Sequence, residues 1–341
     1  MTGLKVALDA TYSIGRELSG VGVYSREILS GLAARTDAEW VWCYRPHRFL
    51  RSIHKSTVAA RRPLFDWWVP DADLFHGLNQ RLPRARLRRS VVTFHDLFVM
   101  TSEYSTPDFR HRFSQQAREA AARADFAIAV SEFTAGQVTA LLAVERSRIE
   151  VIPHGVHIPP MIQTAREPLV LCVGAIQKRK NTARLVEAFE RMPPGWRLVL
   201  AGSRGYGWEE ISTRIEASRR REDIEVTGWV SRQRLGELYS QASIFAFPSL
   251  EEGFGIPVLE AMAHGAPVIT SRTSALPEAA GDAAIQVDPL NTEELATAMQ
   301  KLAGDPGLRA DLAERGLRRA RGFGWEKAVE RTWEVYRRVA G

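Results

Sequence analysis

Short apolar runs alternate with amphipathic stretches from one end of this chain to the other. Leu4–Asp9, Trp40–Tyr44, Asp73–His76, Val91–His95, Phe126–Val130 and Ile149–Ile152 are short and mostly apolar, as strands buried on both faces are. Between them, Val21 to about Ala34, Pro107 to Ala124 and Glu132 to Leu142 read as helices. The rhythm halts at His154-Gly-Val-His-Ile-Pro-Pro160, and Met161 to Pro168 shows no clear period, which places a linker there. It restarts with strands at Leu169–Val173, Arg197–Ala201, Ile224–Val226, Ile244–Phe247, Val268–Ile269 and Ala284–Val287. Strand alternating with helix throughout predicts an α/β protein of two doubly wound halves, each a parallel sheet covered on both faces. A last helix, about Trp325 to Val339, sets Trp325, Val329, Trp333 and Tyr336 at helical spacing.

A length of 341 residues agrees, since two domains of roughly 150 to 180 residues are expected at that size. Charged residues at 25% and apolar residues at 45% argue against both disorder and a membrane span. The longest apolar runs, such as Leu169–Val173, fall far short of the roughly 20 residues a bilayer requires. Met1 to Asp9 runs straight into a strand without a charged leader or cleavage site, so the cytoplasm is the expected compartment. Cys43 and Cys172 sit in strand-like contexts and read as core residues.

A formal net charge of +6 favours anionic partners. His47, Arg48, Arg51, His54, Lys55, Arg61 and Arg62 interleave with Phe49, Leu50, Ile53, Phe65, Trp67 and Trp68, and Arg81, Arg84, Arg86, Arg88 and Arg89 follow. That mixture suits the interface of an anionic membrane, and it equally suits a solvated helix face with aromatic residues turned inward. Basic residues alone carry no recognition module, so no nucleic-acid partner is expected.

The most specific chemistry lies in Glu252-Gly-Phe-Gly-Ile-Pro-Val-Leu-Glu260, which follows the apolar run Ser243–Pro248 and opens a helix. Gly253 and Gly255 let backbone approach a ligand, and the amides of a first helical turn suit phosphate or sugar oxygens. Carboxylates repel phosphate, so Glu252 and Glu260 on either side make sense as acceptors for hydroxyl groups, such as those of a sugar and a ribose. Lys180, with Arg179 before it, opens another helix just after a strand, where two cations oppose the helix dipole unless an anion is present. Gly20-Val-Gly-Val-Tyr-Ser25 is only a partial dinucleotide fingerprint. Asp71-Ala-Asp73 has the letters of a metal-binding pair but precedes its strand, so it reads as a turn; no metal and no cofactor are expected.

These pieces together resemble the retaining glycosyltransferases of family 4, which have the GT-B fold. The paired glutamates match their E-x7-E element. Gly20–Glu27, Val92–Leu97, Val130–Thr134, Ile152–Gly155, Gly174–Asn181 and Thr227–Val230 follow in that family's order, so the likeness covers nearly the whole chain. It implies two Rossmann-like domains facing across a cleft: an acceptor domain over 1–158, a nucleotide-sugar domain over 159–323, and a C-terminal helix over 324–341 that crosses back to the first. By this resemblance Gly22 approaches the donor phosphates, and Arg16 and Glu17 line the acceptor side. His95 contacts the donor sugar near the reacting carbon, and Arg179 and Lys180 neutralise the departing diphosphate. Glu252 takes the sugar hydroxyls and Glu260 the ribose, while Gly253, Phe254 and Gly255 supply backbone groups. Gly228, Trp229 and Val230 match the region that reads the base. His76 and Asn79, on a neighbouring loop, are further acceptor candidates, and buried structural roles suit both equally. Many relatives carry an arginine where this chain has Ala175, so by this resemblance that diphosphate contact is either absent or supplied by Arg179.

The expected protein is a cytoplasmic, peripheral-membrane enzyme that moves a hexose, with mannose from GDP-mannose favoured, to a saccharide or lipid-linked saccharide. UDP- or dTDP-sugar donors and a non-catalytic nucleotide-sugar binder are the alternatives. An oxidoreductase would need an intact glycine fingerprint and leaves Glu252 and Glu260 unexplained.

Overall fold

The apolar runs of the first half pair in parallel. In a computed structural model, which describes residues 3–15, 17–53, 59–160 and 165–341, they are β1 (Leu4–Asp9), β2 (Ala38–Tyr44), β3 (Ala60–Pro63), β4 (Leu74–Gly77), β5 (Ser90–Phe94), β6 (Phe126–Ala129) and β7 (Ile149–Val151). Their order in the sheet is β3-β2-β1-β4-β5-β6-β7, with Val6 of β1 paired to Trp40 on one side and Leu74 on the other. The second half repeats the scheme with β8 (Glu167–Val173), β9 (Arg197–Ala201), β10 (Ile224–Gly228), β11 (Ala242–Phe247), β12 (Val268–Ser271) and β13 (Ala284–Val287), in the order β10-β9-β8-β11-β12-β13.

Helices fill the crossovers. In the first half they are α1 (Gly20–Ala33), α2 (Pro46–Ser52), α3 (Phe98–Thr101), α4 (Pro107–Arg123) and α5 (Glu132–Leu142). In the second they are α6 (Thr182–Phe189), α7 (Trp208–Glu216), α8 (Arg232–Gln241), α9 (Ile256–Ala263), α10 (Leu276–Ala280), α11 (Thr292–Gly304) and α12 (Pro306–Ala320); α13 (Trp325–Ala340) ends the chain. Several start as their sequences dictate: Thr106, Ser131, Ser231 and Asn291 each accept a first-turn amide through the side chain.

The chain divides into two units, Met1–Gly155 with Trp325–Gly341, and Val156–Gly324. The final helix therefore belongs to the first unit, where Trp325, Val329, Trp333 and Tyr336 join a core with Val6, Leu8, Tyr24, Ile28 and Trp40. Burying such side chains stabilises by roughly 1.5–3 kcal/mol each. Gly31 permits this contact: a Cβ there would lie 2.4 Å from Val329 Cγ2. The second unit has its own core between sheet and helices, including Leu185, Phe189, Leu198, Ile211, Ile244 and Leu295.

In each unit the chain order reverses beside one strand, β1/β4 in the first and β8/β11 in the second. Crevices at the carboxyl ends of strands flanking such a reversal are where doubly wound sheets bind ligands. β3 was not foreseen from sequence; Ala-Arg-Arg-Pro at a sheet edge lacks the apolar run that marks an interior strand.

Candidate functional site

The reversal in the second unit brings together two loops distant in sequence. The chain leaves β8 at Gly174, in the left-handed region with φ 124°, and makes one 3-10 turn over Lys178–Lys180. Asn181 then adopts φ 58°, and its Nδ2 donates to the carbonyls of Pro248 at 3.0 Å and Pro289 at 2.6 Å. The Leu250 amide donates to the Arg179 carbonyl at 2.8 Å. The turn after β8 is thus stitched to the loop after β11.

That stitching sets Glu252 against both cations. Lys180 Nζ donates to Glu252 Oε1 at 2.7 Å and lies 4.3 Å from the centroid of the Phe247 ring. Arg179 Nη1 meets Glu252 Oε2 at 2.8 Å and donates to the Glu251 carbonyl. All three side chains are buried. Burial alone would raise the Glu252 pKa, but the Arg179 and Lys180 charges and hydrogen bonds outweigh it and hold the group at about 2. Lys180 moves down, chiefly because burial disfavours its charge, with Arg179 adding to it against the pull of Glu252. The Glu252 amide donates to Ser274 Oγ at 3.1 Å, which fixes the backbone as well. Two cations and one carboxylate leave one net positive charge in a buried, polar place suited to an anion beside hydroxyl groups.

Gly255 begins α9 at φ 111°, and a Cβ there would also strike Leu276 Cδ2 at 2.8 Å. The open amides at this helix start are fewer than the sequence predicts. Pro257 has no N–H, and the Val258 amide donates to the Gly255 carbonyl at 3.0 Å. Phe254 is buried edge-on to Phe323, which anchors the turn holding Gly253. Glu260 is not in the ion cluster. It stands one turn into α9 and accepts from the Tyr239 hydroxyl at 2.9 Å, with its pKa raised by burial. Gly228 closes β10 at φ 69°, Trp229 beyond it is 47% exposed rather than packed in the core, and Val230 is half-buried.

In the first unit His95 follows β5 and is buried. Its Nε2 is 2.9 Å from the Leu78 carbonyl, so that nitrogen carries the proton and Nδ1, 3.4 Å from His154 Nε2, is the acceptor. Its ring stacks on His154 at 5.2 Å and meets Tyr24 edge-on at 4.7 Å. Burial pushes its pKa down to about 4, which keeps it neutral at ordinary pH. His154 lies in the Ile152–Gly155 motif, but nothing in the sequence assigns it a role; its place against His95 emerges only in the fold. The glycine after it makes room for α13, since a Cβ on Gly155 would lie 2.5 Å from the Trp325 nitrogen.

The remaining candidates divide. His76 lies within β4, not on a loop, and both ring nitrogens are bonded in the core, Nδ1 to Tyr336 Oη at 2.5 Å and Nε2 to Thr93 Oγ1 at 2.8 Å. Tyr24 Oη completes that chain with Thr93 at 3.0 Å. His76 is therefore a core residue, not one reaching for an acceptor. Asn79 is buried, and its Oδ1 has no hydrogen-bond partner among the described residues. Gly22 is buried in α1; its amide donates to Ser19 Oγ at 3.3 Å, so this group serves the helix cap rather than standing open to a phosphate. Glu17 is exposed, and Arg16, His54, Lys55 and residues 161–164 of the expected linker lie outside the described residues.

Asp71 and Asp73 both pair with Arg88, and Asp73 Oδ2 also accepts the Lys5 amide at 2.9 Å, a structural arrangement. Among the described residues no group of three or more His, Cys, Asp or Glu is placed to hold a metal ion. Within the same limits no helix is long and apolar enough to cross a membrane.

With this geometry in view, comparison with known proteins agrees with the motifs. Residues 18–158 match the family described as Glycosyltransferase Family 4, and residues 162–319 that described as Glycosyl transferases group 1. An O-antigen chain mannosyltransferase B from Escherichia coli is 29% identical over 96% of this chain and 98% of its own length. Among solved structures, sucrose-phosphate synthase from Thermosynechococcus elongatus superposes with a TM-score of 0.80 at 21% identity, covering 98% of both chains. The Anabaena protein HepE, solved in complex with UDP-glucose, gives 0.76 at 16% identity over 98% of this chain and 99% of its own. Likeness at such identities bears on the fold, which is GT-B.

Proposed function

The chain belongs to glycosyltransferase family 4, and from that premise we propose that it transfers a hexose, with retention of anomeric configuration, from a nucleotide donor to a saccharide or lipid-linked saccharide in polysaccharide or glycolipid synthesis. The buried contact of Lys180 and Arg179 with Glu252 carries this reading, because it sets the charge a diphosphate needs beside the acceptor oxygens a sugar needs. Lys180 and Arg179 hold the diphosphate as charge builds on it, and Glu252 accepts from hydroxyls of the transferred sugar. Glu260 accepts from the ribose, and Gly228, Trp229 and Val230 border the base. Retention follows from attack by the acceptor hydroxyl on the face the leaving group departs from. The C–O bond to the diphosphate breaks, the new glycosidic bond forms, and a phosphate oxygen takes the hydroxyl proton. No enzymic nucleophile is needed. Neutral His95, its Nε2–H given to the Leu78 carbonyl, serves through Nδ1, in exchange for its long 3.4 Å contact with His154, as an acceptor for a sugar hydroxyl rather than as a base, and buried Asn79 Oδ1 supplies an acceptor for the incoming saccharide.

Mannose from GDP-mannose is the proposed donor group, supported by the mannosyltransferase relative that matches along its whole length. A thermal-shift panel of GDP, UDP and dTDP, each with and without a divalent ion, tests it, since a ligand of the native state raises apparent stability. GDP alone is expected to stabilise, without need of the ion; a selective response to UDP or dTDP overturns the donor, and no response overturns the site. Transfer is expected to vanish in Glu252→Gln and His95→Ala under conditions where both remain folded, whereas nucleotide binding without turnover in the wild type would identify a non-catalytic binder.

We also assign an anionic membrane surface as a partner of the first unit. Trp67, 76% exposed, and Trp68 lie on a loop that the Ala85 amide, bonded to the Asp66 carbonyl at 2.7 Å, joins to the loop carrying exposed Arg84, Arg86 and Arg88; Leu50 of α2 and Ile53 at its end are exposed as well. The protein is expected to sediment with vesicles containing phosphatidylglycerol and not with pure phosphatidylcholine, and Trp67→Ala to weaken this; equal behaviour with both lipids removes the assignment.

A further inference from the structure

Glu260 is held from a neighbouring helix by a single hydroxyl. Tyr239 of α8 is fully buried, and its phenol donates to Glu260 Oε2 at 2.9 Å. Its ring stacks on His264 at 5.2 Å and leans on Phe245 at 5.6 Å, contacts a phenylalanine would make as well. A buried hydroxyl is unfavourable unless bonded, so the oxygen is accounted for by the carboxylate it meets. The frame around it is tied down. His264 Nδ1 donates to the Glu260 carbonyl at 2.8 Å, and Arg166 donates to the carbonyls of His264 at 2.6 Å and Tyr239 at 3.2 Å. Side chain and backbone of Glu260 are therefore located by one cluster, and among the described residues Glu260 forms no ion pair that would do this instead.

We infer that Tyr239 is a positioning residue for nucleotide recognition, holding Oε2 of Glu260 so that the carboxylate is set to accept from the ribose hydroxyls. This rests on the assignment of Glu260 to the ribose. Tyr239 does not touch the nucleotide; it acts through Glu260, and the specificity it confers is for the hydroxylated sugar of the nucleotide rather than for its base.

Isothermal titration with GDP and 2′,3′-dideoxy-GDP, or the UDP pair if UDP is the nucleotide that stabilises the protein, separates the two claims. Wild type is expected to bind the ribonucleotide about tenfold or more tightly than the dideoxy form, as for hydrogen bonds to a charged group. Tyr239→Phe is expected to lose several-fold of that preference with the dideoxy affinity unchanged, and Tyr239→Phe/Glu260→Gln to bind no more weakly than Glu260→Gln alone. A pH series gives a readout that packing would not move. Besides Tyr239, the groups facing Glu260 are Arg232 of α8, His157 before β8 and His264 of its own helix. Loss of the phenol removes a bond that favours the charged carboxyl, so the acidic limb of ribonucleotide affinity should move to higher pH. Wild type that does not discriminate overturns the ribose assignment and this inference with it. Discrimination that survives in Tyr239→Phe, or equal weakening of both nucleotides, overturns the role of Tyr239 while leaving Glu260 in place.

Discussion

A carboxylate buried between two cations has its protonation decided by them. Glu252, held at about 2 by Arg179 and Lys180 against the effect of burial, is ionised wherever the protein functions, so it accepts hydrogen bonds and cannot act as a general acid. Removing it leaves two buried cations facing each other. Breaking a buried pair from one side costs roughly 3–5 kcal/mol, so Glu252→Gln is expected to lower stability by about that much. Added pyrophosphate should restore part of the loss, because an anion then occupies the charge the carboxylate vacated; urea titration with and without it reads this directly. A folded-state pKa below the ordinary 4.5 means the stabilisation is fully present above 4.5 and lost as pH falls towards about 2. The gap between wild type and Glu252→Gln should therefore be flat from pH 8 to 5 and close below. A gap already gone at neutral pH would mean the three charges do not share one site.

Elements were legible where burial on both faces left a mark in the letters. All twelve interior or well-formed strand runs read from sequence are strands of the two sheets, while edge strand β3 escaped because its residues are polar and end in Pro63. What sequence does not carry is adjacency. Lys180 and Glu252 lie 72 positions apart and meet because β8 and β11 are neighbours at the reversal; Tyr239 meets Glu260 only because α8 and α9 pack together. His76 shows the same limit: the predicted strand Asp73–His76 contains it, but only adjacency reveals the bonds to Tyr336 and Thr93 that make it part of a buried chain with Tyr24. The close approach of α13 to α1 is testable at Gly31. A methyl there would overlap Val329, so Gly31→Ala should destabilise the first unit by about 1–3 kcal/mol, measured by chemical denaturation, despite alanine being the better helix former. Unchanged or increased stability would show that α13 yields at no cost. Val329→Ala in the same background, which removes the overlapping methyls, should recover part of the loss.

Across the whole chain the two units carry different acid sensitivities. In the first, His76, His95 and His154 are buried and their pKa values lowered, His95 to about 4 and His76 to about 3, with burial the leading cause and the charge of His95 adding to the other two. A lowered histidine pKa means the unfolded chain takes up a proton near pH 6.5 that the folded unit refuses until much lower. Stability therefore falls as pH drops through that window, by about a factor of ten in the folding equilibrium per pH unit for each such histidine. In the second unit the partly buried His264 is lowered in the same way, chiefly by burial, and raised Glu260 works in the opposite sense, since folding there favours the protonated carboxyl. Glu252 adds its loss only below 4.5. The first unit should accordingly open first on acidification. Hydrogen exchange read by mass spectrometry at a series of pH values is expected to show peptides of β4 and β5 losing protection between about pH 6 and 4, while those of β8 and β11 stay protected to lower pH. Saturating nucleoside diphosphate should protect β8 and β11 further without rescuing β4 and β5 to the same extent, because the groups assigned to it lie in the second unit. Loss of protection in all four strands at a single pH would mean that the histidines of the first unit do not govern its acid stability.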